Sequence, residues 1–229
     1  MKIKILSWNI WIDGYFDQVA GFLKSSDADI IGLQEVQTDV SGRDITSFLT
    51  ELGYEYVFAP VQKSWGGKVY NDGPAIFSKY PIKEKHTYLL SEANSRAAAR
   101  ADIDVNGKIL HIFNTHLIHT HQQPSDIQLN QGENLIKLLP LEHTIVMGDF
   151  NAAPDSQVIK NIQNALMDSD PKSLPTWSLY LEGCKICKVQ DISIRLDYIF
   201  TTKDLKTKEF KVENSKASDH LPISVTIEI

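Results

Sequence analysis

The sequence predicts a mixed α/β fold, and three observations carry that reading. Apolar runs alternate with helix-spaced stretches from the N-terminus to Phe58. The middle of the chain, from Ala75 to Asn114, reads as successive strands. Several apolar runs end in residues able to bind metal or phosphate, the pattern of an α/β-type site at a sheet edge.

Taken in order, Ile3 to Leu6 reads as a strand, Phe16, Val19, Ala20 and Leu23 keep helical spacing, and Ile30 to Leu33 reads as a strand again. Ile45, Phe48, Leu49 and Leu52 repeat the helical spacing, Gly53 follows where a C-terminal cap belongs, and Tyr54 to Phe58 is the next strand. Ala101, Ile103 and Val105 alternate before Asn106-Gly107, a pair suited to positive φ, so a hairpin turn is expected before Ile109 to Phe113. Leu129, Leu135, Ile136, Leu138 and Leu139 suggest a helix closed by Pro140, Thr144 to Met147 a strand, and Val158, Ile159 and Ile162 a short helix. Arg195 to Phe200, Phe210 to Val212 and Ile223 to Ile229 are the last strands, while Gln62 to Gly73, Thr120 to Ser125 and Asp168 to Trp177 read as loops.

Composition narrows the class. At 229 residues the chain has room for one large domain or two small ones, at roughly 150 residues per domain. No Pro-, Gly- or Ser-rich linker and no internal repeat divides it, so a single domain over 1–229 is expected. Apolar residues are frequent enough, and Gly and Pro scarce enough, to exclude disordered and collagenous classes. No run is long enough to span a membrane, and Met1-Lys2-Ile3-Lys4 leads at once into a strand rather than a signal-peptide core. Two cysteines, Cys184 and Cys187, are too few for a disulfide scaffold and suit a reducing compartment, so a cytoplasmic location is expected. The net charge of −6 argues against a non-specific nucleic-acid coat but leaves room for a phosphodiester-cleaving enzyme whose carboxylates hold metal ions.

The polar strand ends supply the chemistry. The first strand runs out to Asn9, the second to Gln34-Glu35, Leu110 to Phe113 to Asn114-Thr115-His116, and Ile145 to Met147 to Gly148-Asp149-Phe150-Asn151; Ser218-Asp219-His220 precedes the final strand. Asp149 and Asn151 are two apart and face one way in an extended segment. Asp197 lies inside an apolar strand, where a carboxylate is costly unless paired, and a histidine is the cheapest partner this chain offers.

The segments Trp8-Asn9-Ile10, Gln34-Glu35-Val36, Ala75-Ile76-Phe77-Ser78-Lys79-Tyr80-Pro81-Ile82, Asn114-Thr115-His116-Leu117, Gly148-Asp149-Phe150-Asn151, Leu196-Asp197-Tyr198-Ile199-Phe200 and Ser218-Asp219-His220-Leu221-Pro222 together resemble the endonuclease/exonuclease/phosphatase superfamily, the deoxyribonuclease-like group. Each is weak alone; seven in the family's order, spanning nearly the whole chain, are specific. The resemblance implies an α/β (α+β) fold in four αββα layers, a two-sheet β-sandwich flanked by helices. It also implies a divalent-metal-dependent phosphoesterase, most of all one hydrolysing a phosphodiester on a nucleic acid or a small phosphoester.

Such hydrolysis needs an activated water, stabilisation of a charged pentavalent centre and in-line positioning. Mg²⁺ or Mn²⁺ suits oxygen ligands, which Glu35, Asn9 and Asp219 offer. By resemblance, Asn9 and Glu35 are the metal-side pair, Asp149 orients the attacking water or assists a second ion, Asn151 and His116 contact phosphate, and His220 with Asp197 forms a base-and-orienter unit. Arg96 or Arg100 is placed to contact substrate phosphate, with a surface charge as the competing reading. Trp11, Trp65 and Tyr70 could stack on a ring or cover the core.

Plainer readings compete. Asn9 could be a turn residue, Glu35 a solvated side chain, His116 a satisfied strand-end histidine, and Gly148 to Asn151 a turn. His116, His119 and His121 have a spacing that could hold zinc, but a polar loop is the favoured reading, and Cys184 with Cys187 is expected to be a reduced, structurally neutral pair. The chain departs from abasic-site endonucleases at Trp8-Asn9-Ile10-Trp11, at Asn71-Asp72-Gly73-Pro74 and at Ile194-Arg195, so DNA-repair specificity is not favoured. No hydrophobic hairpin marks a membrane-bound sphingomyelinase. The alternatives are a catalytically silent binding module on the same fold and a phosphatase of phosphoinositide or phosphomonoester substrates.

Overall fold

Period-two alternation sorts the strand residues into two faces, and the computed structural model, which describes residues 1–65, 68–180, 184, 186–187 and 191–229, shows where each face goes. The elements run β1 (Lys2–Asn9), α1 (Phe16–Ser26), β2 (Ile30–Gln37), α2 (Ile45–Glu51), β3 (Glu55–Phe58), β4 (Val61–Trp65), β5 (Lys68–Ser78), β6 (Ile82–Ser91), β7 (Arg96–Val105), β8 (Lys108–His116), α3 (Asp126–Ile136), β9 (Thr144–Asp149), α4 (Gln157–Ala165), β10 (Met167–Asp168), β11 (Asp197–Thr201), β12 (Lys206–Val212) and β13 (Ile223–Glu228). One sheet has the order β12-β13-β1-β2-β5-β3 with β4 paired to β5; the other has the order β10-β11-β9-β8-β7-β6. Both are mixed, with β1 parallel to β2 and β8 parallel to β9 among antiparallel neighbours.

Three apolar clusters make this a four-layer αββα sandwich, as the sequence led us to expect. Ile3, Ile5, Ile30, Ile76, Ile112, Ile145, Met147, Ile199 and Val225 meet between the sheets, where Ala97, Ala99 and Ala101 of β7 let the layers approach closely. Leu6, Trp8, Ile31, Leu33 and Phe77 face outward under α1 and α2, against Val19, Leu23, Ile45 and Leu49. Phe113, Val146, Phe150, Tyr198 and Phe200 do the same on the other sheet against Val158, Ile159 and Ile162 of α4 and Leu135 of α3. Helix starts follow local chemistry: Asp44, Ser125 and Ser156 accept from the backbone N–H groups of Ser47, Gln128 and Ile159.

The inner-face rows turn polar at one end of the sandwich. Ile3 and Ile5 continue to Ser7 and Asn9, Ile112 to Asn114 and His116, Ile145 and Met147 to Asp149, and Ile199 begins at Asp197. Buried cross-sheet bonds close that end: Gln34 Nε2 donates to Asn114 Oδ1 at 2.7 Å, and Asn114 Nδ2 donates to the carbonyls of Leu33 and Ala75, each at 2.8 Å. Gly148 has φ +145°, and a Cβ there would run into the Thr115 carbonyl of the neighbouring strand. Gly148→Ala should therefore cost more than about 1 kcal/mol, read as a lower urea midpoint at unchanged slope.

Two sequence expectations are corrected. Of the stretch Gln62 to Gly73 read as a loop, residues 62–65 lie in β4 and 68–73 in β5, paired from Val61↔Asp72 to Trp65↔Lys68, and residues 66–67 lie outside the described residues. Gln62 and Ser64 are exposed there, so no apolar run marked the strand. The helix expected to reach Pro140 ends as α3 at Ile136, and Leu138 and Leu139 follow in tight turns onto the carbonyls of Leu135 and Ile136. The Asn106-Gly107 hairpin forms as expected, with φ of 54° and 87° between β7 and β8.

Candidate active site

Asp149, the last residue of β9, is buried at the polar end of the sandwich and is the hub of a hydrogen-bonded cluster. Its Oδ1 accepts from the Asn151 backbone N–H at 2.8 Å; its Oδ2 accepts from Asn9 Nδ2 at 3.0 Å and Asn151 Nδ2 at 3.3 Å. Two imidazoles stand close to the same oxygen, His116 Nε2 at 3.4 Å and His220 Nε2 at 3.6 Å. Asn9 arrives from the facing sheet, so the cluster exists only when both sheets are packed.

His220 lies on a loop held by its neighbours. Ser218 Oγ donates to the Asn9 carbonyl at 2.7 Å, Trp8 Nε1 to the His220 carbonyl at 2.9 Å and Trp177 Nε1 to Asp219 Oδ2 at 3.0 Å. The His220 Nδ1 sits 2.9 Å from Asp197 Oδ2, which also accepts from Thr176 Oγ1 at 2.6 Å. Burial acts to lower the His220 pKa, but the carboxylates of Asp197, Asp149 and Asp219 outweigh it and hold the imidazolium well above its ordinary range. The opposite holds at His116, whose pKa is driven well down by burial and then by Arg96, Lys63 and the other histidines. Burial pushes the Asp149 carboxyl up, Asp197 adds to the push, and His220 opposes it.

Glu35 is aimed by a backbone irregularity. The register of β2 against β5 shifts between Leu33 and Val36, and Glu35 takes φ 60°, which turns toward the site a side chain that strict alternation would send to the other face. Its Oε1 accepts from Asn9 Nδ2 at 3.1 Å and its Oε2 from the Ile12 N–H at 2.8 Å. Trp11 and Asn151 also hold left-handed φ, 52° and 49°, so three residues of the site sit in a conformation rare for side-chain-bearing residues.

Glu35 and Asp219 line one cavity of about 760 Å³ together with Asn9, Arg96, His116, Asp149, Asn151, Trp177 and His220. Burial raises the Glu35 carboxyl, and the like charges of Asp219 and Asp72 raise it further. Two crowded carboxylates, with the Asn9 amide beside Glu35, fit a hard divalent cation. Asp149, Asp197 and His220 also bring donor atoms within 4.8 Å of one another, a second set that could hold an ion. Arg96, half-buried, lines the same cavity; its Nε and Nη1 are buried and without a partner among the described residues, and so is the His116 Nδ1. Guanidinium donors without a protein partner suit an anionic oxygen.

The structure thus brings together Asn9, Glu35, His116, Asp149, Asn151, Asp197, Asp219, His220, Arg96 and Trp11. It leaves Arg100 out: its guanidinium is bidentate on Asp102, with both bonds at 2.8 Å, and lies over the Phe113 ring. Trp11 lines the cavity and stacks on Tyr180 at 5.8 Å between ring centroids. Tyr70 lines an adjoining pocket shared with Glu35 and Arg96, and the side chain of Trp65 lies outside the described residues. Thr176, Trp177 and Lys63 were missed, the first two because a polar loop hid a threonine and a tryptophan that hold the site's carboxylates. Lys63, in the stretch read as a loop, pairs with Asp72 at 2.7 Å.

The cysteine expectation is corrected as well. Cys184 and Cys187 are joined as a disulfide, their Cα atoms 5.5 Å apart. They are not isolated, since His119 and His121 stand against them while His116 faces Asp149 instead. None of the described helices is long and apolar enough to cross a membrane.

Comparison with known proteins agrees with this fold. The sequence model of the endonuclease/exonuclease/phosphatase family matches residues 6–220. A sphingomyelinase C 2 of Leptospira interrogans is 26% identical over 89% of this chain, which spans 40% of the length of that protein. Among solved structures, an endonuclease/exonuclease/phosphatase from Beutenbergia cavernae superposes with a TM-score of 0.80 at 18% identity, covering 100% of this chain and 72% of the other. A mannosyl-6-phosphatase of Bacteroides thetaiotaomicron gives 0.73 at 18%, covering 99% and 100%.

Proposed function

The chain belongs to the endonuclease/exonuclease/phosphatase family, and from that premise we propose that it is a divalent-metal-dependent hydrolase of a small phosphodiester, with residues 1–229 acting as one catalytic domain. The observation that carries this reading is Asp149, whose Oδ2 is approached at once by Asn9, Asn151, His116 and His220 at the floor of a cavity that also holds Glu35, Asp219 and Arg96.

Glu35 and Asp219, with Asn9 beside them, would hold Mg²⁺ or Mn²⁺, which supplies charge neutralisation at a phosphoryl or leaving oxygen. The remaining steps rest on the chain's own groups. The Arg96 guanidinium on the cavity wall binds phosphoryl oxygens and helps fix the phosphorus in line with the water, while the Asn151 amide, both of whose hydrogens go to Asp149 and the Leu117 carbonyl, and the neutral His116 beside Asp149 hold that carboxylate in place. Asp149 orients that water, and its raised carboxyl pKa makes it the better proton acceptor. His220, kept protonated by its three carboxylate neighbours, donates toward the charge that grows at the pentavalent centre, while Asp197 fixes its ring through Nδ1. The sequence led us to expect a base at His220; the charge balance around it favours a donor there and leaves the base to Asp149.

Small substrates are favoured over nucleic acid because the chain is acidic, at −6, and among the described residues the cations at the site are Arg96 on the cavity wall and Lys63 in the adjoining pocket rather than a basic track. A panel of an aryl phosphodiester, sphingomyelin, DNA, RNA, a phosphoinositide and a sugar phosphomonoester tests the class. Sphingomyelin belongs in it because one relative is named for that lipid, and the phosphomonoester because one structural neighbour is named as a phosphatase. Turnover of the aryl phosphodiester with Mg²⁺ or Mn²⁺, lost in excess chelator and regained on adding the ion, is the expected result. Undiminished turnover in chelator would overturn the metal requirement, and a folded protein inert on the whole panel would favour a silent binding module.

A further inference from the structure

Beside the phosphoesterase centre stands a second set of metal-ligating atoms of a different chemistry. His119 and His121, on the loop after β8, meet Cys184 and Cys187, and one donor atom from each lies within 4.8 Å of every other. The His119 Nε2 is 3.1 Å from His121 Nδ1 and 3.4 Å from Cys187 Sγ, while His121 Nδ1 is 3.3 Å from each sulfur. A tetrahedral zinc with two imidazoles and two thiolates requires edges of about 3.4 Å between nitrogens and about 3.6 Å from nitrogen to sulfur, given the usual Zn–N and Zn–S bonds. These four edges are thus in place to within a few tenths of an ångström, and the sulfurs, joined here as a disulfide, have to separate.

A second observation points to a ligand independently of that convergence. The Leu117 carbonyl can only accept, so the Asn151 amide nitrogen, 3.1 Å away, must face it, and Asn151 Oδ1 must face His119. The His119 Nδ1 is 2.6 Å from that oxygen and must therefore carry the proton, which leaves Nε2 as a bare lone pair turned into the Cys–His cluster. A second group fixing the tautomer of a ligating histidine is the arrangement found around protein-bound metals. The Cys187 N–H also donates to Cys184 Sγ at 3.2 Å, a contact that favours the anionic sulfur a metal needs.

We propose that the dithiol form of this protein binds one Zn²⁺ through His119 Nε2, His121 Nδ1, Cys184 Sγ and Cys187 Sγ, at a structural site in the wall of the active cavity. Two thiol reductant molecules supply the two electrons and two protons that open the disulfide, and become a disulfide themselves. Zinc then displaces the two thiol protons, and the completed site is electrically neutral. All four donors are protein atoms, so the site is closed and takes no part in hydrolysis. Its soft thiolates select zinc over magnesium, and the all-oxygen set at Glu35 and Asp219 does the reverse. His119 would tie the ion to Asn151 through one hydrogen bond.

Full-length protein, reduced and stripped of metal, is titrated with Zn²⁺ and separately with Co²⁺. The expected result is one zinc bound per chain by elemental analysis, two thiols protected from an aromatic disulfide reagent on binding, and a thiolate-to-cobalt charge-transfer band with the strong visible bands of tetrahedral Co²⁺. Cys184→Ser with Cys187→Ser should abolish the zinc and the charge-transfer band, His121→Ala should weaken affinity tenfold or more, and Glu35→Gln should leave both unchanged. The proposal is overturned if the reduced protein shows two titratable thiols and binds no zinc, if no thiols appear under reductant, or if the double serine variant keeps its zinc. None of these results bears on hydrolysis, so failure here leaves the phosphoesterase reading intact.

Discussion

Asp149→Asn should lower kcat by about 10²-fold or more while leaving KM within a few-fold of its starting value. The carboxylate accepts from the Asn151 N–H, the Asn9 amide and the Asn151 amide, and both His116 and His220 stand near its Oδ2. An amide of the same shape has one acceptor oxygen in place of two and adds two N–H groups, so whichever way it turns it meets donors with a donor. The proton acceptor for water is lost together with the charge that supports the His220 imidazolium, and both losses fall on the transition state. The fold should persist, since replacing a buried carboxylate with a neutral isostere also removes a desolvation cost. Steady-state kinetics with a melting curve check this: a variant that melts normally and only raises KM would make Asp149 a ground-state binder.

Much of this site was legible because it is written in strand parity. Asn9, His116, Asp149 and Asp197 each continue or begin an apolar inner-face row, so an alternating pattern ending in a polar residue marked the sheet edge before any contact was known. The same parity sorts the two arginines of β7: Ala97, Ala99 and Ala101 point between the sheets, so Arg100 must point away, whereas Arg96 begins the strand beside a register shift between Leu89 and Ser91 and turns into the cavity. What stayed hidden depends on tertiary pairing. Trp177 reaches Asp219 across 42 positions, and the sulfur of Cys184 meets His121 across 63. No local pattern records such meetings, because each is made by the packing of two loops whose own sequences are merely polar.

Asp197→Asn should cost nearly as much turnover as His220→Ala, and the double variant should cost little more than either. Asp197 touches the reaction only through His220, whose Nδ1 it holds at 2.9 Å, with Thr176 fixing the same carboxylate oxygen. Two residues acting as one unit give losses that do not multiply. The pH profile carries the independent check. Burial alone would lower the His220 pKa, and Asp197 is the first of the carboxylates that reverse this, so its neutralisation must move the imidazole titration to lower pH. If hydrolysis needs the protonated ring, wild-type activity holds at neutral pH and falls on the alkaline side as the proton leaves. In Asp197→Asn that alkaline limb shifts toward acid, and part of the lost activity returns as the pH is lowered. Imidazole resonances followed by NMR should move in the same direction. Fully multiplicative losses would break the pair into two independent contacts. An acid limb that moves in place of the alkaline one would return His220 to the role of base and leave Asp149 to orient the water alone.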